Sequence, residues 1–458
     1  MAKSKMIFCV LLAAMMVECA SQPGNVIQPP GPEEFPEDII GLIAFVNVNV
    51  VPMADERVLA NQTVIVRDGK IVDIGSAAQV AITDSAHRLD GAGRLYLMPG
   101  LADMHVHMFD ASEMIMYLAN GVTTVRNLHG LATHLRWRES LSRGEMLGPR
   151  LYTSGPIVDG DPPARSTNKV IRTADEARQA VAEQKLAGYD FLKIYDNLPR
   201  HLYDVLAEEA ATQDLPMVGH IPTPVGITGL LEVKSQKCIE HVEELLPFFN
   251  DGRETTGVRE MAQALAAAGV WVDPTMVVHE NAGEQHANWH ALLARPEMKY
   301  MNPQTVQVWG WMETGEGRSR APTGAERYHR TMSFFEKTLV PELHRAGVRL
   351  LIGTDSPLAA IIPGFSIMTE LHAFVQSGLT PYQALEAATK NAANFVGDEE
   401  EFGTVNVGKS ADLVLLTANP LENIENVAKR VGVMVQGRWL SQTKLQKMLD
   451  ELAASYGN

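Results

Sequence analysis

Six side chains of kinds that could bind or bridge metals stand at, or near, the ends of short apolar runs. His105 and His107, in Ala102-Asp103-Met104-His105-Val106-His107-Met108, follow Pro99-Gly100-Leu101 and lie two residues apart. Side chains of a strand alternate faces with period two, so both imidazoles leave on one side and can grip one divalent cation. Lys193 lies inside Phe191-Leu192-Lys193-Ile194-Tyr195, and Val218-Gly219-His220, Ile239-Glu240-His241 and Ile352-Gly353-Thr354-Asp355 close three further runs. Each residue alone has a plainer role. His220 or His241 would be a hydrogen-bonded core histidine, Lys193 the partner of a buried carboxylate, and Asp355 an N-cap before Ser356-Pro357. Four His, one Lys and one Asp at the same end of their strands are a far less accidental set, and together they point to a metal site.

Side chains spread from His105 to Asp355 need a fold that brings strand ends together. From Pro99 onward, candidate strands at 101–107, 123–128, 150–156, 191–195, 215–220, 237–241, 270–276 and 349–355 alternate with amphipathic helices, among them 174–187, 203–212, 258–268 and 334–346. The first of these helices opens on Asp175-Glu176 and stops at Gly188. Eight such units over about 300 residues predict an α/β fold, a (β/α)8 TIM barrel, whose chemistry sits at the C-terminal ends of its strands. An open doubly wound sheet would bring a Gly-rich phosphate loop, and none is found. Short strands on either side of the barrel, at 39–98 and 401–442, predict a small discontinuous β-sandwich with hairpins at Asp68-Gly69 and Gln436-Gly437. The barrel then spans 99–400 and a helix closes the chain at 443–458. Segment 279–330, with Trp289, Tyr300, Trp309 and Trp311, reads either as a lid or pocket wall or as helices packed on the rim.

With 458 residues, 46% of them hydrophobic and 21% charged, the chain can bury a large core without help from disulfides or metals. Its net charge of −16 argues against a nucleic-acid or anionic-membrane surface. It leaves a small-molecule substrate open, since a bound cation can make a positive pocket in an acidic protein. Lys3 and Lys5, the apolar run from Met6 to Met16, and the small residues Cys19, Ala20 and Ser21 read as a signal peptide over 1–20, followed by a linker over 21–38. That predicts a secreted or periplasmic protein with no transmembrane segment in the mature chain. A lipidated Cys19 is the alternative, although Glu18 stands where a small residue is wanted. Only Cys238 clearly remains after processing, so no intramolecular disulfide is expected. The oligomeric state is open, a homo-oligomer included.

The stretch Pro99-Gly100-Leu101 through His105-Val106-His107 resembles the opening motif of the amidohydrolase superfamily of metal-dependent hydrolases. The resemblance continues through Lys193, Gly219-His220, Glu240-His241, Gly353-Thr354-Asp355 and the ending Val407-Gly408-Lys409-Ser410-Ala411-Asp412-Leu413-Val414. Within that superfamily it is nearest the imidazolonepropionase-like and Xaa-Pro dipeptidase-like branch. The resemblance implies two divalent ions, zinc by ligand type. His105, His107 and Asp355 would hold one, His220 and His241 the other, and Lys193, carboxylated by CO₂, would bridge them. It implies hydrolysis of a C–N bond in an amide, dipeptide or N-acyl amino acid by a hydroxide between the ions, with Asp355 moving the proton to the leaving amine. Tyr195 shares the strand face of Lys193 and reads as an oxyanion donor or as a packed aromatic. Arg126 and Arg165 read as partners of a substrate carboxylate or as structural ion pairs. The chain departs from the branch at Val158 to Arg165, where related dipeptidases often carry Gly-Gly-His, and at Asn127, where they often carry Asp. A lactonase or phosphotriesterase, or a silent binding protein on the same scaffold, are the rival readings.

Overall fold

The computed structural model describes residues 35–309 and 323–457, so the signal-peptide reading, nearly all of the linker and Trp311 lie outside the described residues. The described residues begin with six strands, β1 (Asp38–Ile39), β2 (Ile43–Val50), β3 (Leu59–Arg67), β4 (Lys70–Ser76), β5 (His87–Asp90) and β6 (Tyr96–Pro99). Next come β7 (Leu101–Val106), β8 (Val122–Asn127), β9 (Arg150–Thr153), β10 (Val158–Asp159), β11 (Lys169–Val170), β12 (Leu192–Ile194), β13 (Met217–Gly219), β14 (Gln236–Glu240) and β15 (Trp271–Asp273). Three more, β16 (Leu413–Leu416), β17 (Arg430–Val435) and β18 (Arg438–Ser441), precede the last helix, Gln442–Ser455.

Strands from the two ends of the chain form one sheet in the order β1-β18-β17-β16-β6-β2-β3-β4, with β5 on β2. β6 joins the halves, pairing parallel to β2 and antiparallel to β16. At both hairpins the turn residues take positive φ, Asp68 50° with Gly69 76°, and Gln436 50° with Gly437 77°. That handedness matches the twist of the flanking strands. Neighbouring strands lie about 4.8 Å apart, so β2 and β18, four steps apart in the order, would be roughly 19 Å apart in a flat sheet. Yet the rings of Phe45 on β2 and Trp439 on β18 are 5.7 Å apart. The sheet is therefore rolled so that its arms face each other across one core, which includes Ile43, Val64, Leu97 and Leu413.

Between these arms the pairing is parallel: β7-β8-β9, and β10-β12-β13-β14-β15 with β11 on the outer side of β10. Ser154 pairs with Phe191 and so links the end of β9 to the start of β12. Segment 350–356 forms no regular strand, but Leu350 pairs with Val272 and Ser356 with Val106. Met104 N donates to Ile352 O at 2.7 Å and Leu351 N to Val272 O at 3.0 Å, so β7 and β15 both carry a partner on their far side.

Segment 276–309 is helical, with helices Met276–Leu293 and Pro303–Val308 and a short turn Pro296–Tyr300 between them. Trp289, Tyr300 and Trp309 are buried in a cluster with Leu445 and Leu449 of the last helix. These three aromatics are buried core of a layer shared with the last helix. Apolar area that large is more stable packed than exposed.

Candidate metal centre and active site

The register of the parallel ladder sets the ligand-bearing ends level. Lys193 pairs with Val218, Ile194 with Gly219, Gly219 with Ile239 and Glu240 with Asp273. The closeness of β12 and β13 depends on Gly219, at φ 135°, where a Cβ would lie 2.2 Å from Ile194 O.

Asp355 meets three of the histidines. Its Oδ1 is 3.3 Å from His105 Nε2 and 2.8 Å from His107 Nε2, and its Oδ2 is 3.8 Å from His241 Nε2. The His241 ring lies 4.6 Å from His105 and 4.9 Å from His220. Lys193, buried on β12, bears electrostatically on His105, His220 and His241. All six candidate ligands thus converge.

The states of His105, His241 and Asp355 suit a cation, whereas His220, held up by Asp196 and Glu244, would give up a proton on binding one. Lys193 Nζ is buried without a hydrogen-bond partner among the described residues, while His105 Nδ1 lies 3.3 Å from Glu240 Oε2 and Asp355 Oδ1 faces only the two imidazoles. Buried polar atoms are otherwise nearly always partnered. One ligand atom each from His105, His241 and Asp355 fall within 4.8 Å of one another. Burial, then Lys193, pulls His105 down to about 3, and burial holds His241 well below its usual value. Burial opposes the Asp355 charge, but His105, His107 and His241 outweigh it and hold the carboxyl well below its usual range. Neutral imidazoles and an ionised carboxylate are the ligating forms. Burial likewise pulls the Lys193 ammonium down, against Glu240 and Asp355.

Residues that the motif reading did not single out orient this set. Asp196 Oδ1 lies 2.6 Å from His220 Nδ1 and Glu244 Oε1 lies 3.2 Å from it. Burial works against the imidazolium, yet the two carboxylates hold His220 up at about 9. His241 Nδ1 lies 2.7 Å from Thr275 Oγ1. The only sequence signal is position, Asp196 directly after Tyr195 and Glu244 three residues after His241, and Thr275 has none.

Arg126 makes ion pairs in the core, the structural one of its two readings. It is fully buried, its Nη2 2.8 Å from Glu240 Oε2 and 3.3 Å from Asp273 Oδ2, with its guanidinium 4.7 Å from the Phe395 ring centroid. β8 is buried along its whole length, so a charged residue there must find its counter-ions inside the core. Arg126 also keeps Glu240 ionised against burial, while Asp273 is pushed up by burial and by the Glu240 charge. Arg165, by contrast, is exposed, its guanidinium 5.5 Å from the centroid of the Tyr195 ring. The Tyr195 ring lies 4.0 Å from that of His220, and burial pushes its phenol above the usual value.

This chemistry and fold agree with what the chain resembles. The profile of the amidohydrolase family matches residues 96–440, and the chain belongs to that family. Among relatives, it is 38% identical over 399 residues to the imidazolonepropionase of Idiomarina loihiensis, covering 81% of this chain and 90% of that one. It is 23% identical over 444 residues to the ochratoxinase of Aspergillus niger, covering 81% and 80%. Among solved structures, bottromycin amidohydrolase superposes with a TM-score of 0.74 at 22% identity, covering 93% and 92%, a likeness of fold.

Proposed function

We propose that the protein hydrolyses a C–N bond in a small amide, dipeptide or N-acyl amino acid, using a pair of divalent ions, zinc by ligand chemistry, at the C-terminal mouth of a (β/α)8 barrel. The observation that carries this reading is the convergence of His105, His107 and His241 on Asp355, beside His220 and a buried, unpartnered Lys193. His105, His107 and Asp355 would hold one ion and His220 and His241 the other. When bound, the ions lower the pKa of a water molecule and polarise the substrate carbonyl.

The chain's own residues do the rest. A lysine amine in this buried setting is drawn toward its neutral form, which can add to CO₂. Loss of a proton then leaves a carbamate on Lys193, one negative charge shared over two oxygens, which could ligate cations where an ammonium could not. Asp355, ionised, takes the proton from the attacking water and passes it to the leaving nitrogen. Tyr195, protonated, donates to the oxygen on which charge develops. Arg165 pairs with a substrate carboxylate at the mouth. The signal-like first twenty residues support a secreted or periplasmic location. Among the described residues no helix is long and apolar enough to cross a membrane.

A silent scaffold would have no need of a lysine kept unpartnered in the core beside an aspartate ringed by three histidines. Zinc-loaded protein assayed side by side on dipeptides, N-acyl amino acids and lactones tests the proposal. Amide turnover is expected. Lactone turnover without any amide turnover would make it an esterase instead, and well under one equivalent of metal with no activation by zinc would support the silent scaffold.

A further inference from the structure

The helix Met276–Leu293 begins directly after Thr275, beyond the end of β15. Its first N–H groups have no acceptor within the helix. Thr275 is of a residue type that usually caps a helix with its own hydroxyl, from an extended backbone. It does not do so here. Its backbone is left-handed, φ 46° and ψ 43°, and its side chain caps no N–H. That region is disfavoured for a β-branched residue.

The capping comes from elsewhere. Glu370, fully buried on the helix Ile367–Gln376, accepts the Met276 N–H at 3.0 Å and the Val277 N–H at 2.7 Å, one on each carboxylate oxygen. The Thr275 hydroxyl is left to stand 2.7 Å from His241 Nδ1. With Nε2 given to a cation, Nδ1 carries the proton and donates to Thr275 Oγ1, which fixes both tautomer and ring plane.

We propose that Glu370 is a positioning residue of the metal centre. By capping the helix in place of Thr275, it holds Thr275 in a left-handed backbone that turns its hydroxyl to His241. This rests on the two-cation reading above, and it adds a residue 94 positions from the helix start it caps.

The test uses Co²⁺ as probe on the full chain, with E370Q, T275V, T275S and the double variant E370Q/T275V. A Gln side chain has a single carbonyl oxygen, so one helix N–H loses its acceptor. Wild-type protein is expected to take up two Co²⁺ per chain. In chelator competition, E370Q should weaken one of them by about 10–100-fold and leave the other within about threefold, with a changed visible absorption for the weakened ion. T275V should do the same, T275S should retain wild-type affinity, and the double variant should be no weaker than T275V because both changes remove one interaction. Circular dichroism and urea unfolding report folding in parallel. Should E370Q not fold, E370D, with its carboxylate on a shorter arm, is expected to weaken the same ion. Unchanged affinities in a folded but less stable E370Q, or additive losses in the double variant, would overturn the inference alone. A wild type that binds no Co²⁺ would overturn the two-cation reading and this inference with it.

Discussion

Asp355 has one oxygen shared between two imidazoles and the other near a third, in a buried site where its ionised form persists. A carboxylate so placed can both ligate and carry a proton. Asp355→Asn keeps the shape and removes the basic oxygen. Its kcat is expected to fall by about 10²–10⁴-fold, with the far-UV circular dichroism unchanged. A near-normal rate would take Asp355 out of the proton path. Arg126 makes the opposite case, a residue whose chemistry looked available and is spent inside the protein. Arg126→Met leaves Glu240 buried without its counter-ion and should cost about 3–5 kcal/mol in urea unfolding, far more than loss of a surface substrate contact. A variant of wild-type stability with a raised KM would return Arg126 to substrate binding.

Among elements, the parallel ladder matters because register converts sequence spacing into position. β12, β13 and β14 sit with Lys193, Gly219 and Glu240 near one level, so the residues just past each strand meet. Gly219 is the tightest point of that ladder. Gly219→Ala must fit a methyl 2.2 Å from Ile194 O at a φ of 135°, so β12 and β13 have to separate. A loss of about 1–3 kcal/mol in stability is expected. Zinc uptake, measured by metal analysis of the folded variant, should fall too, because Lys193 and His220 move with their strands. Retained stability and full uptake would show that the ladder yields more freely than its geometry implies.

Across the whole molecule, burial sets the protonation balance well beyond the metal centre. Glu113 is 3% exposed, and burial, then the Asp110 charge, pushes its carboxyl up to about 8 against the backbone N–H groups of Phe109 and Asp110. The folded value lies above the unfolded one, so the folded state holds a proton that the unfolded state gives up. Stability from this group is complete below the unfolded value near 4.5 and is lost as pH rises through about 8. Glu113→Gln removes that loss. Between pH 5 and 8 its stability relative to wild type should climb by on the order of 4 kcal/mol, read from urea midpoints at each pH. A pH-independent difference would mean that Glu113 ionises freely in the fold. Metal binding adds a separate term: chelation of zinc-loaded protein should lower the melting temperature, each site occupied at about 1,000 times its Kd contributing about 4 kcal/mol.

Sequence alone determined the alternation of strands and helices after Pro99, the hairpins at Asp68-Gly69 and Gln436-Gly437, and the six ionisable residues at or near the ends of apolar runs. Those features are local: they follow from side-chain period, turn chemistry and the cost of burying a charge within one run of residues. Arg126, Thr275 and Glu370 show what locality cannot carry. Whether a guanidinium faces a substrate or Glu240 and Asp273, and whether a helix is capped by its own threonine or by a glutamate from another helix, is decided only when distant segments pack and compete for the same hydrogen-bonding atoms. The irregular segment 350–356 belongs with them, since its place between β15 and β7 is held by hydrogen bonds from its neighbours and not by a strand pattern of its own.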